Sequence, residues 1–314
     1  MNWKVRYIDL GAQYQALKPE IDAAMHRVMA SGRYINGEET ERFEEALARY
    51  LGVKHVIGVG NGYDALLLSL KVIGIRQSSS VFVSPYTHIS TRAAVCNLQG
   101  KVEFSSAKDA SIVVHMNGRI NEDVLPPLIK WPLIEDACQA IGASLDGTKS
   151  GGWGLLGCFS FHPMKVLSCA GDGGAICTSY AELNKRLRDL RNHGGEKGYG
   201  VNSRLDNIQA AILNVKLPHL DGYIKRRRKI AAIYERELPE WVKKPPAPSD
   251  GPYFDTYSSY VIGGSPELLA HLRGNGIECF SHIRTDVVSL PIYPEMKDAH
   301  IAMVVAAVKA YANG

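Results

Sequence analysis

Nowhere in the 314 residues is there an apolar run long enough to cross a bilayer, and no two cysteines take the spacing of a zinc site. The opening stretch MNWKVRYIDLGAQYQ also lacks the apolar core of a secretion signal, so a cytoplasmic protein with no membrane partner is expected. The six cysteines (Cys96, Cys138, Cys158, Cys169, Cys177 and Cys279) are scattered, most of them inside apolar runs where reduced core thiols sit. That argues against a disulfide framework and against a structural metal. Excess charge is scarce too: 36 Lys and Arg against 32 Asp and Glu leave a net charge of +4. A nucleic-acid binder needs a concentrated basic face, so no nucleic-acid partner is expected. There is no internal repeat and no low-complexity tract, which removes solenoids and disordered linkers from consideration.

What remains has ordinary globular proportions, 46% hydrophobic and 22% charged residues. At roughly 150 residues per domain, the length suggests two domains. Residues 17–31 and 39–51 carry helical spacing, the second with Phe43, Ala46, Leu47 and Leu51 along one side. His55–Val59 reads as a buried strand, Gly60-Asn61-Gly62 as a turn, and 64–73 as a helix. Short runs rich in Val, Ile and Phe follow at 80–84, 111–116, 131–134, 157–161 and 174–178. They mostly do not alternate with polar residues, as befits strands covered on both faces. The expectation is an α/β domain over 1–215 built on a mainly parallel sheet. Residues 216–240 read as one long helix whose basic run, 225–229, forms a solvated face. Beyond the proline-rich loop at 245–252, a strand at 259–262, a helix at 266–274, a strand at 276–280 and a helix at 297–312 make a small C-terminal α/β domain over 216–314.

Four segments hold residues suited to chemistry. GVGNGYDAL, 58–66, is a strand, a glycine turn and a helix start, whose free N–H groups suit a phosphate; a plain tight turn would look the same. LIEDACQAIGA, 133–143, sets Asp136 at the end of an apolar strand, where it either meets a cation or caps the next helix. GCFSFHPMKVLSCAGDGGAICT, 157–178, holds Ser160 and one lysine, Lys165, between two apolar strands. Lysine is rarely buried unless paired or reactive. GVNSRLDNIQAA, 200–211, puts Asn202 and Arg204 just before a helix, as an ordinary cap would.

Taken in this order, from Tyr34-Ile35-Asn36-Gly37 to Ser289-Leu290-Pro291, the segments resemble the DegT/DnrJ/EryC1/StrS sugar aminotransferases, fold-type-I enzymes dependent on pyridoxal 5′-phosphate (PLP). The resemblance implies that Lys165 is the lysine linked to PLP and that Asp136 pairs with the pyridine nitrogen. Gln139 would lie near the 3′-oxygen. Gly62 and Tyr63 would offer backbone amides, and Ser160 a hydroxyl, to the phosphate. His88 would stack on the ring where the family usually has an aromatic residue. Asn202 would reach the phosphate of the other subunit in a homodimer with shared active sites. His162 and Tyr34 are candidate substrate contacts. The implied reaction moves an amino group, from L-glutamate, to C-3 or C-4 of a nucleotide-linked keto sugar, passing through the PLP and PMP forms in amino-sugar biosynthesis. The alternatives are a PLP-binding sugar dehydratase of the same family, against which the retained Lys165 speaks, and a catalytically idle regulatory relative, against which the intact set of Lys165, Asp136 and Ser160 speaks. The chain is shorter than usual near 105–112 and 281–288, and Ser258 stands where a histidine is common.

Overall fold

The computed structural model describes residues 3–124, 132–281 and 284–311. The chain opens with helix α1, Leu10–Ser31, whose N-cap Asp9 accepts the Ala12 N–H at 3.0 Å and which Gly32 ends in a left-handed conformation. Helix α2, Glu38–Leu51, follows with three acids in its first turn, matched to the positive end of the helix dipole. Then come β1 (His55–Val59), α3 (Gly62–Val72), β2 (Ser80–Val83), α4 (Ile89–Asn97), β3 (Lys101–Glu103) and β4 (Ala110–Val114). After them lie β5 (Leu133–Asp136), the two-residue β6 (Ser144–Leu145) and β7 (Thr148–Lys149), then β8 (Leu156–Ser160) and β9 (Gly174–Thr178). The run expected over 131–134 begins on Trp131, outside the described residues.

Seven of these strands form one sheet in the order β1-β9-β8-β5-β4-β2-β3. β9 runs antiparallel to both its neighbours and every other pair is parallel. Both faces are covered. In β1, Ile57 and Val59 join one core with Leu66, Leu70 and Ile112, while Val56 joins the opposite core with Phe43, Leu47 and Phe161. Neighbouring strand residues thus point into different cores, which is why the strand sequences do not alternate.

Helices α5 (Ala181–Leu190) and α6 (Asn207–Lys216) lead to α7 (Leu220–Glu237). The single helix expected over 216–240 is broken: Leu217–His219 is a 3-10 turn around Pro218, which has no N–H to donate. Leu220 and Ile224 of α7 pack with the large sheet's core, and Ile230, Ala231 and Tyr234 pack with the C-terminal one. Arg227 falls on the same stripe, so the basic run is only in part the solvated face expected of it: Lys225 and Lys229 are exposed, while Arg227 is buried. Arg227 is 2% exposed, and its Nη1 donates to the Ile292 carbonyl at 2.6 Å and the Tyr257 carbonyl at 3.2 Å. Arg226 pairs with Asp298, and Arg228 donates to the Asp255 and Ser249 carbonyls. The three arginines of the run tie α7 to the C-terminal part of the chain.

That part contains β10 (Tyr253–Phe254), which pairs with β6, then β11 (Tyr260–Gly263), α8 (Pro266–Gly274), β12 (Val287–Leu290) and α9 (Asp298–Tyr311). β11 and β12 pair antiparallel. The strand expected at 276–280 is only two isolated bridges, Ile277 to Val5 and Phe280 to Ser289. The extended partner of β11 is β12 instead. Among the described residues no helix is long and apolar enough to cross a membrane. All six cysteines are free thiols, and Cys96 is exposed.

Candidate active site

The carboxyl ends of β1, β4, β5 and β8 converge on one cleft of about 360 Å³, where open α/β sheets take their ligands. β5 ends in two acids that alternation sends to opposite faces. Glu135 is fully buried and fully partnered: it accepts His115 Nε2 at 2.9 Å and the N–H groups of Gly151, Trp153 and Gly154 at 2.6–2.7 Å. Asn121 N–H donates to His115 Nδ1, so Nε2 carries the proton and His115 can serve Glu135 while neutral. Glu135 therefore fixes the turn that leads into β8.

Asp136 faces the cleft and is 5% exposed. Thr91 Oγ1 donates to its Oδ2 at 2.8 Å and the Cys138 N–H to its Oδ1 at 3.3 Å. Thr87 and Thr91 hydroxyls meet at 2.7 Å behind it. Among the described residues no cation forms a salt bridge with this carboxylate, so its charge is buried without a protein counterion. Such a group is expensive unless a ligand brings positive charge.

Lys165 sits in the loop after β8, half-buried, and lines the same cleft. Its amide donates to the His162 carbonyl at 2.8 Å, while its amine has no hydrogen bond or ion pair among the described residues. Cys138 lies near both charges. Burial first, and then the Asp136 carboxylate, push its thiol well above the usual range, while Lys165 acts the other way. The thiol therefore stays protonated.

The third part is the start of α3. Asn61 caps it by accepting the Asp64 N–H at 2.8 Å, and the first N–H groups, of Gly62 and Tyr63, have no partner within a helix. A Cβ on Gly62 would come within 2.8 Å of Ser160 Cβ and 2.9 Å of Cys138 Sγ, so only glycine leaves this approach open. Gly174, at the start of β9, is equally constrained: a Cβ there would lie 2.4 Å from the Asn61 carbonyl. Ser160 Oγ accepts the His162 N–H at 3.4 Å, leaving its own proton to donate. Together these groups gather free N–H donors and a hydroxyl at a helix N-terminus, an arrangement suited to an anion.

His88 caps α4, and its Nδ1 accepts the Ser90 N–H at 3.3 Å. His162 Nδ1 accepts the Met164 N–H at 3.2 Å. Both imidazoles line the cleft, and each, while neutral, carries its proton on Nε2. Gln139 also lines it, its Oε1 held by the Asn117 N–H at 3.2 Å.

The cleft thus gathers Lys165, Asp136, Gly62, Tyr63, His88, Gln139, Ser160 and His162. It does not gather Asn202 or Tyr34. Asn202 is exposed and forms a lone bridge with Asn192, beside Ser203, which accepts the Gly60 N–H and donates to Asp64. Tyr34 is 48% exposed, and its carbonyl accepts the Asn207 N–H. Sequence reasoning missed Thr91, Thr87 and Asn61. Only Asn61 carried a signal, as an N-cap residue ahead of a helix.

The DegT/DnrJ/EryC1/StrS aminotransferase family model matches residues 15–126 and 107–282. A dTDP-3-amino-3,4,6-trideoxy-alpha-D-glucose transaminase from Streptomyces venezuelae is 36% identical over 92% of this chain and 84% of its own length. A UDP-N-acetyl-3-dehydro-alpha-D-glucosamine 3-aminotransferase from Acidithiobacillus ferrooxidans is 30% identical over all of this chain and 99% of its own. The crystal structure of a DegT DnrJ EryC1 StrS aminotransferase from Brucella abortus superposes with a TM-score of 0.91 at 31% identity, covering 98% of this chain and 99% of that one. A mixed sheet of this order, a cleft at its carboxyl edge and matches along nearly the whole length agree: the chain belongs to the DegT/DnrJ/EryC1/StrS aminotransferase family of fold-type-I, PLP-dependent enzymes.

Proposed function

We propose that the protein transfers the amino group of L-glutamate to the keto carbon of a nucleotide-linked sugar, with PLP held in the cleft. The observation that carries this reading is the pairing of an unpartnered amine, Lys165, with a buried carboxylate that has no counterion, Asp136, in one cavity. The residues fit the cofactor. Asp136 would hold the protonated ring nitrogen, while Gly62, Tyr63 and Ser160 would take the phosphate. His88 would cover the ring, and Gln139 Nε2 would face the 3′-oxygen. Bound in this way, the cofactor supplies an electron sink for the pair released at the donor's Cα. Lys165 Nζ would take up the Cα proton and return it on the other side of the transfer. His162 Nε2–H lies at the cleft for the substrate, and Tyr34 would act from the rim. C-3 is the favoured position, since the two relatives described above are named for C-3 amination. The screen is direct: purified protein, PLP, glutamate and a panel of nucleotide keto sugars, read by mass spectrometry. A product in which H and NH2 replace the keto oxygen of one of them is expected; no product from any 3-keto or 4-keto sugar would overturn the substrate class.

The working unit in this reading is a homodimer with shared sites. Asn202 is exposed beside its own cleft but not in it, as a residue serving a second copy would be. Mixing Lys165→Ala with Asn202→Trp should restore activity, because one site of each mixed dimer keeps both residues. Random exchange caps the recovery at about a quarter of wild type. Absence of recovery after proven exchange, with each variant inactive alone, would place Asn202 in its own subunit's site.

A further inference from the structure

Behind the loop that carries Lys165, a second lysine is shut away from solvent. Lys216, the last residue of α6, is 7% exposed. Its amine donates to Gln13 Oε1 of α1 at 2.7 Å and to Ser168 Oγ at 3.4 Å, and the Ser168 hydroxyl also reaches Gln13 Oε1 at 3.4 Å. No carboxylate closes a salt bridge with it among the described residues. Cys169, next to Ser168, and then Glu295, in the C-terminal part of the chain, act on the amine through space, and the Glu295 Oε2 is buried with no hydrogen-bond partner. Burial pulls the Lys216 amine down, against Cys169 and then Glu295, and pushes the Glu295 carboxyl up, against a backbone hydrogen bond, Arg227 and then Lys216. A buried amine in such a place is costly, and a methionine would fill the volume at less expense.

The place explains the lysine. Ser168 is 1% exposed and lies three residues after Lys165 in the same loop. α6 also grips the next turn of this loop: the Ala170 N–H donates to Gln209 Oε1 at 2.9 Å, and Gln209 Nε2 returns a bond to the Ala170 carbonyl. The Cys169 N–H closes the loop onto the Phe161 carbonyl at 2.9 Å. The loop is therefore held by Val166 and Leu167, which are buried in the core with Phe43 and Phe161, and by the polar ties at Ser168, Cys169 and Ala170. Of these ties, only the one at Ser168 also reaches α1, through Gln13.

We propose that Lys216 is a positioning residue, which fixes the Lys165 loop through Ser168 and so sets where the Lys165 amine stands in the cleft. The inference rests on the reading that Lys165 carries the cofactor.

The test uses the PLP-loaded protein as wild type, Lys216→Met, Ser168→Ala and the double variant. Two quantities are read: the pH midpoint of the bound cofactor's visible band, and the rate and KM of the half-reaction with glutamate. Lys216→Met is expected to displace the midpoint and slow the half-reaction by about tenfold to a hundredfold, with KM held within about twofold, the mark of misplacement rather than lost binding. Ser168→Ala should show the same change in smaller measure. The double variant should be no worse than Lys216→Met, because both act through one contact. A folded Lys216→Met with wild-type midpoint and rate overturns the proposal, and so does a double variant whose losses multiply. If Lys216→Met does not fold, Ser168→Ala decides alone, and an unchanged midpoint there is fatal to the idea. A wild type without a visible band would instead defeat the cofactor reading, and this proposal with it.

Discussion

Lys165→Ala is expected to yield a folded protein that binds PLP and transfers no amino group. The structural side of this expectation follows from what the amine lacks. It makes no hydrogen bond or ion pair among the described residues, and the side chain is only half-buried, so its loss removes no contact that holds the fold. The loop keeps its ties at Ser168, Cys169 and Ala170. The melting temperature should stay near that of wild type, as it does for substitutions away from packed or paired groups. The chemical side is severe, because in the function proposed above the positioned base and the covalent anchor would be the same atom. Loss of a positioned proton-transfer group alone costs about 10²–10⁴-fold, and loss of the anchor adds to it, so turnover should fall below detection. Borohydride treatment of wild type should fix the cofactor on the peptide holding Lys165 and leave the variant unlabelled. Label recovered on any other lysine, or measurable turnover by the variant, would falsify the assignment.

How far the sequence spoke differs by element. β1, α3, β8 and the acid at the end of β5 were legible because each is short, apolar and punctuated by glycine or by a change of period. The direction of β9 was not, since an antiparallel strand inside a doubly covered sheet carries the same Ala175-Ile176-Cys177 run as a parallel one. Arg227 was misread for a related reason. Charge marks the surface on average, yet its spacing from Ile224 and Ala231 placed it on the buried stripe, where three backbone carbonyls accept from its Nη1 while its Nε is buried without a partner. At the site, motif order located Lys165, Asp136 and Ser160. It could not find Thr91, whose hydroxyl reaches Asp136 from a helix forty-five residues earlier in the chain. Nor could it find Lys216, read as no more than the start of a helix. Contacts across the fold leave no trace in local spacing. Asn202 and Tyr34 show the opposite case: they are visible as motif positions, yet a single chain gives them no place in its cleft.

Asp136→Asn separates stability from chemistry most sharply. The wild-type carboxylate is 5% exposed and is met by two neutral donors, Thr91 Oγ1 and the Cys138 N–H, with no protein cation. Without cofactor it is a buried carboxylate met only by neutral donors, an arrangement that a neutral amide is expected to relieve. One of the two donors then faces an NH₂ instead of an oxygen, a loss of about 1 kcal/mol. The balance favours the variant, so cofactor-free Asp136→Asn should melt at or above the temperature of the cofactor-free wild type. The loaded enzymes should rank the other way. An amide cannot hold the ring nitrogen protonated, because it carries no charge to favour the proton there. The half-reaction with glutamate should therefore slow by about a hundredfold to a thousandfold, the scale of removing one preorganised electrostatic partner from a buried site. The same inversion should appear in cofactor-induced stabilisation: PLP should raise the melting temperature of wild type more than that of the variant, since only wild type gains a counterion for Asp136. Calorimetry with and without PLP, beside stopped-flow absorbance with glutamate, measures both halves. A cofactor-free variant that melts well below wild type would show that the carboxylate is already compensated within the protein. Near-normal half-reaction rates would show that its charge is not the one the cofactor uses.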